Sequence, residues 1–107
     1  MINLNKVYGL LGLAARSGKV VCGMDAVLDS IKFKKVKLVI VAEDASEKTK
    51  KNVKFICDKN NLKYLSIGLK DDLSHAIGKE NKVVFAIKDK NFINGIEKII
   101  YGGDAIG

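Results

Sequence analysis

The sequence has no proline, one histidine, two cysteines and no apolar run long enough to cross a bilayer. The run Leu38 to Ala42 falls far short of the ~20 residues that a spanning helix needs. The N-terminus also lacks the basic region and apolar stretch of a signal peptide. A cytoplasmic protein with no membrane partner is therefore expected. Cys22 and Cys57 are isolated thiols in apolar surroundings, with no second Cys or His at metal-ligand spacing. They read as reduced, buried packing residues rather than as metal ligands or a disulfide. His75, between Ser74 and Ala76, has no activated nucleophile predicted beside it and reads as a structural or surface histidine. From the missing prolines no functional conclusion follows.

What the chain does have is cationic charge. Lys+Arg number 19 against 12 Asp+Glu, a formal net charge of +7 over 107 residues. The excess is uneven, with +6 carried by residues 1–54 and +1 by residues 55–107. Lysine supplies 18 of the 19 basic groups, which suits a mobile phosphate-contacting surface better than a set of rigid bidentate arginines. Nucleic acid is the leading partner class, and a surface that merely keeps a small protein in solution remains the alternative. A chain of this length fits one domain and buries roughly 65% of its unfolded surface, enough for a packed core.

Hydrophobic periodicity orders that domain. Leu4, Val7, Leu11 and Ala14 form one helical stripe over residues 3–16, ended by Ser17-Gly18. After a short β-branched stretch at 19–22, Gly23 opens a second helix with Met24, Val27, Leu28 and Ile31 on one face. Leu38 to Ala42 is a strand covered on both faces. A third helix follows, with Thr49, Val53, Ile56 and Cys57 inward, Lys48, Lys50, Lys51 and Lys54 outward, and Asn60-Asn61 as its stop. Strands at 64–67 and 83–87 flank a short helix at 70–77, and Phe92, Ile96, Ile99 and Ile100 mark a final helix. This alternation predicts an α/β fold, a three-layer α-β-α sandwich around a four-stranded mixed sheet.

Familiar chemistries fail on spacing. Five residues separate Gly12 from Gly18 where a phosphate-binding loop requires four, and Val20 replaces its metal-binding hydroxyl. Gly9 and Gly12 lie inside a helical pattern, where close helix packing explains them better than dinucleotide binding. Glu43-Asp44 and Lys88 hint at a phosphoacceptor domain, but the strand at 64–67 runs into Gly68-Leu69 without the further aspartate that mechanism needs. Tyr8, Tyr64 and Tyr101 are scattered over different elements, so no stacking platform for bases is evident.

A series of segments is nevertheless recognisable: Leu10-Leu11-Gly12-Leu13-Ala14-Ala15-Arg16, Gly18-Lys19-Val20-Val21, Gly23, and residues 37–46 from Lys37 through Glu43-Asp44-Ala45-Ser46. With Leu73, Ala76-Ile77-Gly78-Lys79 and Val83-Val84, it resembles the YlxQ-like bacterial branch of the kink-turn-binding ribosomal protein family over nearly the whole chain. The resemblance implies a non-catalytic RNA binder without cofactor or metal. Its ligand would be a kink-turn, a sharply bent duplex with a short bulge followed by sheared G·A pairs, in ribosomal or other structured RNA. A monomer is expected, with ribosomal or assembly proteins as further partners. Two alternatives stand beside it: a protein-docking scaffold in ribosome or ribonucleoprotein assembly, and a relative of the substrate-binding domain of RNA methyltransferases.

The resemblance places the site at the start of the second helix. Gly23 matches the family glycine, and the amides of Met24, Asp25 and Ala26 would face the RNA. Asp25, Ala26 and Asp29 stand where the family has asparagine, glutamate and lysine. Neither aspartate can donate to guanine O6 or N7, and Asp29 would repel phosphate, a loss that Lys32 one turn on would offset. Glu43 and Asp44 match an Ala-Glu-Asp segment beside the RNA-facing loop, where Asp44 or Ser46 would also cap the third helix. Lys70 matches a lysine that hydrogen-bonds the kinked nucleotides, while Ile77, Gly78, Lys79 and Lys82 belong to a loop that closes over the bulge. Lys19 and Lys82 are expected to meet phosphates from opposite sides.

Overall fold

The structure, a computed structural model, describes residues 3–102. Its elements run α1 (Leu4–Arg16), β1 (Val20–Cys22), α2 (Met24–Lys32), β2 (Leu38–Val41), α3 (Glu47–Lys59), β3 (Lys63–Ser66), α4 (Lys70–Ala76), β4 (Val84–Ile87) and α5 (Lys90–Tyr101). The strands form one sheet in the order β1-β4-β2-β3. β2 pairs parallel with β3, and β4 pairs antiparallel with both β1 and β2, so the sheet is mixed as expected.

Alternation along the central strands divides the core in two. Leu38, Ile40, Phe85 and Ile87 point to one face, where they meet Val7 and Leu11 of α1, Leu73 of α4, and Ile93 and Ile96 of α5. Val39, Val41, Val84 and Ala86 point to the other, against Val27 and Ile31 of α2 and Val53 and Cys57 of α3. Both central strands are buried on both faces, which is why they read as unbroken apolar runs. Each large side chain so buried contributes about 1.5–3 kcal/mol relative to exposure.

Local signals set the element ends. Asn3 accepts from the Lys6 amide at the head of α1, and Ser46 accepts from the Thr49 amide at the head of α3. Asn60 closes α3, its side chain donating to the Ile56 carbonyl at 2.8 Å. Gly12 allows α1 to approach α4 closely, because a Cβ there would lie 3.0 Å from the Ala76 carbonyl oxygen. Gly9 does not serve this purpose: nothing lies within 4 Å of its Cβ position, and it lines an open apolar groove between α1 and α5.

Three expectations need correction. β3 begins one residue early and ends at Ser66, although Ile67 is still buried. Cys57 is fully buried but Cys22 only half so. Burial, reinforced by Asp58, pushes the Cys57 thiol up to about 11, so it remains protonated near neutrality. Lys50 turns back from solvent and donates to the Glu43 carbonyl at 2.7 Å. No described helix is long and apolar enough to cross a membrane. Among the described residues, no group of three or more His, Cys, Asp or Glu could hold a metal ion.

Candidate functional site

Gly23 joins β1 to α2 with φ +90° and ψ 147°, a backbone region that essentially only glycine occupies. Its amide donates to the Val84 carbonyl at 2.9 Å, which spends that group on the sheet and aims α2 away from the sheet edge. No side chain caps the helix, so its first amides are left to an outside acceptor. The mouth is flanked by Lys82, whose Nζ is 3.7 Å and Cδ 4.0 Å from where a Cβ on Gly23 would sit. Asp25 is exposed in the first turn, where a carboxylate complements the helix dipole, and Asp29 is exposed one turn further along.

Lys82 is held in place by a residue that the sequence pattern did not single out. Ser74, 2% exposed, donates its hydroxyl to the Lys82 carbonyl and accepts from the Lys82 amide, both at 2.9 Å. Its helical spacing to inward-facing Ile77 was the available clue. Between them the chain turns through Ile77, which packs partly into the α1-side core, and Gly78, whose φ of +72° ends α4. Lys79 is tied back through its amide to the Ser74 carbonyl at 2.9 Å and leaves its side chain exposed.

Of the two candidate caps for α3, Asp44 and Ser46, the structure uses one. Ser46 alone caps α3, whereas Asp44 Oδ1 accepts the Lys70 amide at 2.8 Å and caps α4 across 26 residues of sequence. That bond fixes Lys70 beside the loop after β2, at the same end of the sheet as Gly23. Replacing Asp44 with alanine should cost about 1 kcal/mol, the usual loss for a helix cap, read as a shift in the urea unfolding midpoint at unchanged slope. Tyr8 lies behind this corner. Burial raises the pKa of its phenol, a hydrogen bond from the Leu69 backbone partly offsets this, and Asp72, Glu43 and Asp44 push it up further.

Gly23, Met24, Asp25, Glu43, Asp44, Lys70, Ile77, Gly78, Lys79 and Lys82 thus gather where β1, β2 and β3 end and β4 begins. Lys19 and Lys32 do not join them. β1 carries Lys19 about 13 Å away to the opposite end of the sheet, where its carbonyl accepts from the Lys88 amide at 2.9 Å. Nine residues of α2 carry Lys32 a similar distance in the same direction.

Comparison with known proteins identifies relatives of the chain and of its fold. The model of the ribosomal protein L7Ae/L30e/S12e/Gadd45 family matches residues 5–96. The chain is 39% identical to the RNA-binding protein YlxQ of Bacillus subtilis (strain 168) over 93 residues, 87% of this chain and 93% of that one. It is 36% identical to the RNA-binding protein YlxQ of Enterococcus faecium over 100 residues, 94% and 96% of the two chains. A solved structure described as a protein with unknown function from Bacillus halodurans C superposes with a TM-score of 0.84 at 33% identity, covering 90% of this chain and 97% of that one. The Giardia lamblia 15.5kD RNA binding protein shares the fold, with a TM-score of 0.75 at 21% identity over 97% and 89% of the two chains.

Proposed function

Since this chain belongs to the ribosomal protein L7Ae/L30e/S12e/Gadd45 family, in which its YlxQ relatives are RNA-binding proteins, we propose that it binds RNA and selects a kink-turn. The activity is binding rather than catalysis. The observation that carries this reading is the uncapped mouth of α2, opened by Gly23 and overhung by Lys82. A helix N-terminus with free amides accepts phosphate or base acceptors, and the missing Cβ lets a folded ribose-phosphate chain come close. Lys82 and Lys70 supply charge to either side. RNA of this kind is recognised through its shape, and a protein shifts its RNA toward the bent state only by binding that state more tightly.

Two carboxylates temper base readout. Asp25 can accept from a base amino or imino group but cannot donate to guanine O6 or N7. Asp29 faces solvent beside the proposed RNA path and opposes a polyanion. Replacing Asp29 with lysine should therefore tighten binding to a kink-turn duplex at least about fivefold, since it removes one unit-charge repulsion and adds one attraction, each worth about 1 kcal/mol in water. An unchanged or weaker affinity would place the RNA on another face of α2. A gel shift against a kink-turn duplex and a control with disrupted G·A pairs tests the reading as a whole. Preference for the kinked duplex supports it, and equal binding to both defeats it. Salt-insensitive association with a protein instead would favour the docking alternative.

A further inference from the structure

The end of the sheet opposite Gly23 carries a row of lysines. In strand order, Lys19 precedes β1, Lys88 follows β4, Lys37 precedes β2 and Lys63 begins β3. The register places Val20 opposite Ile87, Ile87 opposite Leu38 and Leu38 opposite Lys63, so these residues line one edge. Backbone hydrogen bonds hold the row, from the Lys88 amide to the Lys19 carbonyl at 2.9 Å and from the Lys37 amide to the carbonyl of Ile87, the residue before Lys88, at 3.0 Å. Neighbouring strands are about 4.8 Å apart, so the row spans roughly 14 Å. All four lysines are exposed.

Beside the row, the turn after α2 adds exposed Lys32, Lys34 and Lys35 around Phe33, which is 64% exposed. The Lys32 ammonium lies 5.8 Å from the centre of that ring. Opposing carboxylates are few. Asp89 is engaged at the head of α5 by the Asn91 amide, Glu97 pairs with Lys63, Asp58 at the end of α3 pairs with Lys54, and Asp29 sits one turn back on α2. Lys19, Lys34, Lys35, Lys37 and Lys88 form no ion pair among the described residues. By contrast, the Gly23 end gathers Asp25, Glu43, Asp44, Glu47, Asp71, Asp72 and Glu80 around Lys48, Lys50, Lys51, Lys70, Lys79 and Lys82, so that its charges nearly cancel. The net positive charge of the chain is thus concentrated away from the kink-turn mouth.

The geometry points to a second RNA contact on this edge, a sequence-independent one in which the lysine row tracks the backbone of an unpaired segment and Phe33 stacks on one of its bases. A row of mobile ammonium groups neutralises phosphates without reading bases, and an exposed ring beside it offers a face that any base can cover. The contact does not depend on the kink-turn reading, because none of its residues belongs to the Gly23 site.

The test uses a 12-nucleotide oligouridylate, which cannot form a kink-turn, titrated by fluorescence anisotropy at several salt concentrations. In the Lys19→Gln, Lys37→Gln, Lys88→Gln triple variant, the slope of log K against log salt should fall by about 2, near 0.7 for each single-strand phosphate that no longer meets an ammonium group. Phe33→Ala should weaken binding roughly 5- to 100-fold, the range for removing one base stack. Gly23→Val should leave oligouridylate affinity unchanged. An unaltered slope in the triple variant, or loss of oligouridylate binding in Gly23→Val, overturns the second contact while leaving the kink-turn assay to be judged by itself. Lysine-dependent binding to phosphatidylserine vesicles without binding to oligouridylate would also overturn it, by assigning the edge to a membrane.

Discussion

Gly23→Val is expected to abolish binding to a kink-turn duplex, with affinity falling roughly 100-fold or more, which corresponds to a loss of at least about 2.8 kcal/mol. The reason is steric. At φ +90° a Cβ would project toward Lys82, and the two methyl groups of valine would stand over the amides of Met24, Asp25 and Ala26. Forcing a β-branched residue into that backbone region costs about 1–3 kcal/mol of stability. A domain of this kind holds about 5–15 kcal/mol, so the variant should remain folded, as far-UV circular dichroism and a cooperative thermal transition can verify. Gly23→Ala, with one methyl in place of a branched side chain, should fall between valine and wild type. Full affinity in a folded Gly23→Val protein would put the RNA site elsewhere.

The second large effect is expected at a residue that touches no RNA. Ser74→Ala removes both hydrogen bonds to the Lys82 backbone, leaving an amide and a carbonyl in a half-buried loop without their partner. Stranding such groups costs about 1–3 kcal/mol. For a domain of this size that corresponds to a drop in Tm of roughly 5–15 °C. The same change frees the loop at residues 77–82, so Lys82 no longer stays over the mouth of α2 and kink-turn affinity should fall with stability. Amide exchange separates this from general softening: the Lys82 amide should exchange faster than the loss of global stability accounts for, while core amides of β2 and β4 quicken only in proportion to that loss. Protection of Lys82 equal to wild type would show that the loop is held by something else.

Much of this architecture is legible in the linear order of residues, and the reason is periodicity. Val7, Leu11 and Ala14 could only be one face of a helix, while the unbroken apolar strands at β2 and β4 had to be covered on both sides. The family resemblance likewise survives comparison with the YlxQ proteins. What escaped was direction and long-range pairing. Lys19 and Lys32 are near Gly23 in sequence, yet β1 arrives at that glycine from the far end of the sheet and α2 leaves it for the same end. Either Asp44 or Ser46 could cap the helix that follows them; Ser46 does, and the Asp44 carboxylate turns to the amide of Lys70, a partner that no local pattern specifies. Ser74 was hidden for a related reason, since a hydroxyl in a short helix acquires its role only when the returning loop is laid against it.

The brevity of β1 has its own consequence. This outermost strand is three residues long, Val20–Cys22, with one side engaged by β4. So short a border offers an incoming chain too few backbone groups to template a further strand, and neighbouring copies are kept from knitting together through it.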